Sequence, residues 1–173
     1  MKIILLGYMA SGKSTIGRLL AADKKMLFID LDAYIEEKEG ISISNIFKNK
    51  GEIYFRIQEN KYLKELLTND NSFILSLGGG TPCYAGNMEV INDAVKVSSF
   101  YLRASIKTIV ARLASEEKVQ RPLVADLSDE KLVEFISKHL FERSYFYEQA
   151  AYKIQIDEKN VNTIAEEISK ILH

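Results

Sequence analysis

The sequence predicts an α/β domain, a three-layer sandwich around a five-stranded parallel sheet. Two observations carry this. Short apolar runs alternate with segments of helical periodicity, and a phosphate-loop pattern joins the first run to the first such segment. The runs are residues 2–6 (KIILL), 27–30 (LFID), 73–77 (FILSL), 97–102 (VSSFYL) and 152–156 (YKIQI). Continuous apolar runs of this length suit strands covered on both faces by helices. Residues 15–22 (TIGRLLAA) carry helical spacing at Ile16, Leu19 and Leu20, and AYIEEKE at 33–39 reads as a second helix. Arg56 falls on a helix whose apolar face is Phe55, Tyr62, Leu63, Leu66 and Leu67. Ile106, Ile109, Val110 and Leu113 follow i, i+3, i+4, i+7, and Val161, Ile164, Ala165, Ile168 and Ile171 do much the same at the end.

With 173 residues the chain is the size of one domain, 1–173, and its 47% hydrophobic and 27% charged content is that of a globular protein. A net charge of -1 supplies no basic field, which argues against nucleic acid as a partner. A single cysteine, Cys83, excludes an internal disulfide and reads as a reduced, partly buried thiol. His139 and His173 lack metal-ligand spacing. No signal-peptide pattern or long apolar span is evident, so the expectation is a cytoplasmic protein without membrane contact.

Function is concentrated where strands end, because ligands of parallel sheets gather at the strands' carboxyl edge. The first strand runs into GYMASGKST, in which Gly7, Gly12, Lys13 and Ser14 fit the phosphate-loop spacing. Glycines let successive backbone N–H groups, here including those of Ala10, Ser11 and Thr15, turn around an anion, and the following helix adds its positive dipole end. Lys13 is expected on the outer phosphates of ATP and the Ser14 hydroxyl on Mg²⁺. The second strand ends FIDLD, placing Asp30 and Asp32 at the same edge, where on an extended segment they would point the same way. A phosphoryl transferase needs one acid near the metal and one near the nucleophile; helix capping is the bland alternative use of such acids. The third strand ends SLGGGTP, and Gly78, Gly79 and Gly80 either form a plain turn or admit backbone close to a small polar ligand. Arg56, Arg121 and Arg143 are candidate charge stabilisers, although physics alone does not select them from the other basic residues.

Taken in order, GYMASGKST, FIDLD, Phe55-Arg56, LSLGGG, Arg121-Pro122-Leu123 and Glu142-Arg143 with Tyr145 and Tyr147 resemble the shikimate kinases along essentially the whole chain. The resemblance implies a nucleoside-monophosphate-kinase-like fold with a substrate-binding region at about 31–62 and a lid at about 115–128. It implies ATP-dependent phosphorylation of the 3-hydroxyl of shikimate, on the route to chorismate and the aromatic amino acids, by a monomer whose partners are ATP and shikimate. Carried over residue by residue, Asp32 is the acid on the shikimate hydroxyls, and Asp30 stands near Mg²⁺ through water with Ser14 as direct ligand. Arg56 and Arg143 clamp the carboxylate, and Gly78, Gly79 and Gly80 line the ring. Arg121, with Lys13 and Asp32, belongs to the catalytic set as the lid arginine on ATP phosphates, and Arg112 resembles the adenine-stacking arginine.

The chain departs from the common pattern at four places. Ala10-Ser11 replaces Gly-Ala. Arg112 and Arg121 stand two residues further apart. Tyr145 occupies a usual proline position, where it bears on how a helix starts. DEKNVN at 157–162 replaces the usual adenine loop, and no adenine contact is assigned there. The alternatives are a kinase of the same lineage acting on gluconate or a nucleoside monophosphate, and an ATP-binding regulator; the chain lacks a guanine-reading Asn-Lys-x-Asp.

Overall fold

The structure, a computed structural model, describes residues 1–115 and 128–172. Five strands, β1 (Lys2–Leu6), β2 (Leu27–Asp30), β3 (Phe73–Ser76), β4 (Val97–Arg103) and β5 (Tyr152–Gln155), form one sheet in the order β2-β3-β1-β4-β5. Every neighbouring pair is parallel. The helices are α1 (Lys13–Lys24), α2 (Leu31–Glu39), α3 (Ile43–Thr68), α4 (Asn87–Asp93), α5 (Ile106–Ser115), α6 (Asp129–Tyr147) and α7 (Val161–Ile171). A short 3-10 turn occupies Thr81–Cys83.

Strand positions follow from composition. All of KIILL in β1 and all of FILS in β3 are buried, as central strands must be, whereas edge strand β2 is partly exposed. The expected strands differ from the observed ones by one residue at the carboxyl ends of β3, β4 and β5. Phe55, Tyr62, Leu63, Leu66 and Leu67 form the buried stripe of α3, as their spacing predicts. That helix bends at Gly51, whose φ of 82° breaks the helical run.

Two local expectations need correction. Asp30 and Asp32 do not share an extended segment. Asp30 ends β2 by capping α2, its Oδ1 accepting from the backbone N–H groups of Asp32 (3.1 Å) and Ala33 (3.4 Å), so Asp32 lies in the first helical turn. Near Arg143 no helix starts: without a proline at 145, α6 runs unbroken to Tyr147.

Register sets the site. Leu5 of β1 and Asp30 of β2 both lie beside Ser76 of β3, and Leu6 lies beside Tyr101 of β4. The carboxyl ends of β1, β2 and β3 therefore lie side by side.

Candidate active site

The phosphate loop is shaped by the absence of a cap. α2, α3 and α7 receive side-chain caps from Asp30, Ser42 and Asn160, but the N-cap of α1 is Gly12, at φ 88°, with no side chain to offer. No acid occupies the first turn of α1 either, so its N–H groups and dipole are left for an anion. Gly7 passes so close to β4 that a Cβ there would stand 2.8 Å from the Leu102 carbonyl oxygen. Ala10 takes the left-handed conformation (φ 59°) at the position where glycine is usual, a conformation that strains any L side chain. Its carbonyl accepts from Arg112 Nη1 at 2.9 Å. Lys13 folds over the loop, donating to the carbonyls of Gly7 (3.0 Å) and Tyr8 (2.9 Å). Those bonds hold its ammonium at the rim of a cleft of about 470 Å³.

That cleft is lined by Met9, Ala10 and the stretch from Gly12 to Ile16, by Asp30, Asp32 and Ser76, and by the backbone of Gly78 and Gly79. Ser14 Oγ donates to Asp30 Oδ2 at 2.9 Å and lies 3.3 Å from Ser76 Oγ. Asp30 thus caps a helix with one oxygen, the bland use anticipated for it, and faces the phosphate-loop serine with the other. The far wall is Arg112 with Val161 and Ile164 of α7. The last two extend the cleft beyond any contact expected near the final strand; their apolar spacing reads simply as a helix face.

The glycine triplet has a use the sequence did not reveal. None of the three has a positive φ, so conformational freedom is not what they supply. They supply room. A Cβ on Gly78 would stand 2.9 Å from Asp32 Oδ1, one on Gly80 would stand 2.8 Å from Arg56 Nη2, and one on Gly79 would stand 3.5 Å from Arg143 Nη1. Asp32, Arg56 and Arg143, from three separate helices, converge on these three consecutive residues.

Asp32 is held in an unfavourable field. Burial, then repulsion from Asp30 and Glu59, raise its pKa to about 6 against the opposing pull of Lys13 and Arg56. Arg56 is tied down: Nη1 donates to Glu59 Oε2 at 2.8 Å, the guanidinium lies 4.0 Å from the centroid of the Tyr84 ring, and buried Nε sits 3.6 Å from Glu52 Oε1 without a hydrogen bond. Glu59 is itself buried and accepts from Thr81 Oγ1 at 2.7 Å. Its signal was available, since an acid three residues after Arg56 interrupts an apolar stripe. Cys83 is half-buried, and burial pushes its thiol up to about 11, which leaves it protonated. Arg121 lies outside the described residues.

This arrangement places an acid and two arginines on one strip of backbone beside the uncapped start of α1. The family model for shikimate kinase matches residues 9–173. The chain belongs to the shikimate kinase family. A shikimate kinase of Flavobacterium psychrophilum is 46% identical over 99% of this chain and 98% of its own length. Among solved structures, shikimate kinase from Bacteroides thetaiotaomicron superposes with a TM-score of 0.90 at 33% identity, covering 99% of this chain and 98% of that one. The Acinetobacter baumannii shikimate kinase in complex with shikimate gives a TM-score of 0.85 at 30% identity, covering 99% and 92%. Family membership accounts for the fold expected from the sequence, with its five parallel strands and phosphate loop. Among the described residues no helix is long and apolar enough to cross a membrane.

Proposed function

We propose that the chain transfers the γ-phosphoryl group of ATP to the 3-hydroxyl of shikimate, releasing ADP and shikimate 3-phosphate. The observation that carries this reading is the convergence of Asp32, Arg56 and Arg143 on Gly78, Gly79 and Gly80, beside a phosphate loop whose helix is left uncapped. Shikimate presents a carboxylate at one end of its ring and hydroxyls at the other. Two guanidinium groups suit the first, bidentately, and an acid suits the second.

In this reading the phosphates lie in the loop of Gly7, Ala10, Ser11, Gly12, Lys13, Ser14 and Thr15, and Lys13 exchanges its carbonyl partners for phosphate oxygens. The nucleobase lies against Arg112, Val161 and Ile164. Asp32 accepts the hydrogen bond of the 3-hydroxyl. As that oxygen bonds to the γ-phosphorus, the bond from phosphorus to the β-γ bridging oxygen breaks and the hydroxyl proton leaves. A pKa of about 6 keeps Asp32 ionised at neutral pH yet basic enough to hold that proton.

Ser14 has the oxygens of Asp30 and Ser76 as partners, and such hard ligands beside a triphosphate suit Mg²⁺. Ser14 would hold it directly and Asp30 through water, and when bound the ion neutralises charge on the phosphates. The substrate-binding region is assigned to about 31–62, the origin of Asp32 and Arg56, and the lid to about 115–128. Arg121 of that lid would meet charge on the transferring group.

The test is an ADP-release assay with Mg²⁺ and ATP, comparing shikimate, gluconate, nucleoside monophosphates and no acceptor. Turnover only with shikimate is expected. Turnover with another acceptor and silence with shikimate would overturn the roles given to Asp32, Arg56, Arg143 and the glycine triplet while keeping the phosphate loop.

A further inference from the structure

Arg143 and Arg56 are oriented by different means. Arg56 has Glu59 and Glu52 beside it. Among the described residues no carboxylate forms an ion pair with Arg143, yet its guanidinium sits at a defined place over Gly79. An arginine that is to grip a ligand's carboxylate gains from this, because no neighbouring acid neutralises its charge. Something else must hold it still.

What holds it is visible one turn to either side on α6. His139, Arg143 and Tyr147 follow i, i+4, i+8 and so share a face of the helix. One turn before Arg143, His139 Nδ1 pairs with the hydroxyl of Tyr8 at 3.0 Å, the second residue of the phosphate loop. One turn after it, the Tyr147 hydroxyl donates to the Gly79 carbonyl at 2.6 Å. Both phenols are fully buried, and the Arg143 guanidinium lies 5.9 Å from the centroid of the Tyr8 ring. Burial raises the pKa of Tyr8 to about 12 and that of Tyr147 further, against the charge of Arg143, so both hydroxyls keep their protons. Neither tyrosine lines the cleft.

We propose that Tyr8 and Tyr147 are positioning residues for Arg143: their hydroxyls fasten α6 to the phosphate loop and to the glycine triplet on either side of that arginine, fixing its guanidinium for the carboxylate of the acceptor. The proposal rests on the reading of this site as a shikimate site. It assigns to Tyr8 a use that the phosphate-loop spacing does not require, and to Tyr147 a purpose beyond filling the core.

The test uses Tyr147→Phe and Tyr8→Phe, which remove one oxygen each and leave the rings in place. Steady-state constants are measured for ATP, for shikimate and for the methyl ester of shikimate, which lacks the carboxylate charge. For either variant the shikimate KM should rise about fivefold, the scale of one lost hydrogen bond, with kcat and the ATP KM within about twofold of the parent. With the methyl ester, parent and variant should differ by less than about twofold. A shikimate KM unchanged in both variants overturns the proposal, as does an equal loss with shikimate and its ester. If one variant fails to fold, the other decides. A parent protein that turns over gluconate and not shikimate instead removes the reading on which the proposal rests.

Discussion

Replacing Asp32 by Asn should make the protein more stable while disabling it. The carboxyl's pKa rises from 3.8 to about 6 through burial and through the nearby acids Asp30 and Glu59. The folded state therefore holds that proton more tightly than the unfolded chain does. The penalty is absent below about pH 4, grows between about pH 4 and 6, and is complete above. A rise of about two units corresponds to roughly 3 kcal/mol at neutral pH. Asn removes the charge but keeps a polar amide in the same place, which returns about 1 kcal/mol of that gain. The expected net effect is a stabilisation of about 2 kcal/mol, a rise in Tm of about 4–8 °C for a chain this long. Thermal melts of ligand-free Asp32→Asn and parent protein, followed by circular dichroism at pH 7.5 and pH 4, give the comparison. The gain should appear at pH 7.5 and shrink towards zero at pH 4, and shikimate turnover at pH 7.5 should fall by about 10²-fold or more. Equal or lower stability of Asp32→Asn at pH 7.5, or a gain independent of pH, would refute the electrostatic account. The parent's kcat/KM for shikimate should also decline below about pH 6, as the acid becomes protonated.

Two further perturbations follow from the same geometry and a third from the role proposed for Arg121. Gly80→Ala places a Cβ 2.8 Å from Arg56 Nη2, so steady-state kinetics should show the shikimate KM raised about tenfold or more with the ATP KM little changed. Ala10→Gly relieves a left-handed residue at φ 59°: strain of roughly 1–2 kcal/mol, less the roughly 0.4–1 kcal/mol that glycine adds to unfolded-chain entropy, leaves a gain of about 0.5–1 kcal/mol, measurable by urea denaturation. Arg121→Ala should lower kcat by about 10³-fold while nucleotide binding, followed by calorimetry, persists; a parent-like kcat would remove Arg121 from the mechanism.

Most of the fold was legible because its signals are local. Strands β1 and β2 and helix α7 coincide with their apolar patterns to the residue, since an apolar run such as the IILL of β1 or a run of i, i+3, i+4 positions has few other uses. The phosphate loop was legible for the same reason. Less legible was anything decided by the direction of a side chain. Asp30 and Asp32 look like one extended pair, but the capping that ends β2 turns them onto different backbones, one facing Ser14 and the other Gly78. The tyrosines at 8 and 147 were hidden in stretches whose apolar pattern explains them fully as core, whereas Glu59 stood out as an acid interrupting such a pattern.

The glycine triplet shows why such a site resists reading from spacing alone. In sequence Asp32, Arg56 and Arg143 are unrelated, separated by helices and strands of variable length. In the fold they must meet, because β3 lies between β2 and β1, so the loop that leaves β3 lies between the carboxyl ends of the other two. α2 and α3 bring Asp32 and Arg56 from one side, α6 brings Arg143, and each arrives at a residue without a Cβ. Three side chains of like function could reach one strip of backbone by other routes. Asp32 and Arg56 can stand 2.9 and 2.8 Å from where the Cβ atoms of Gly78 and Gly80 would be only because those atoms are missing, while Arg143 comes to ordinary contact distance, 3.5 Å, at Gly79, so the triplet and the three charged residues form a single structural condition. The mark of that condition in the sequence is three consecutive glycines at the end of a central strand, none of them used for its conformational freedom.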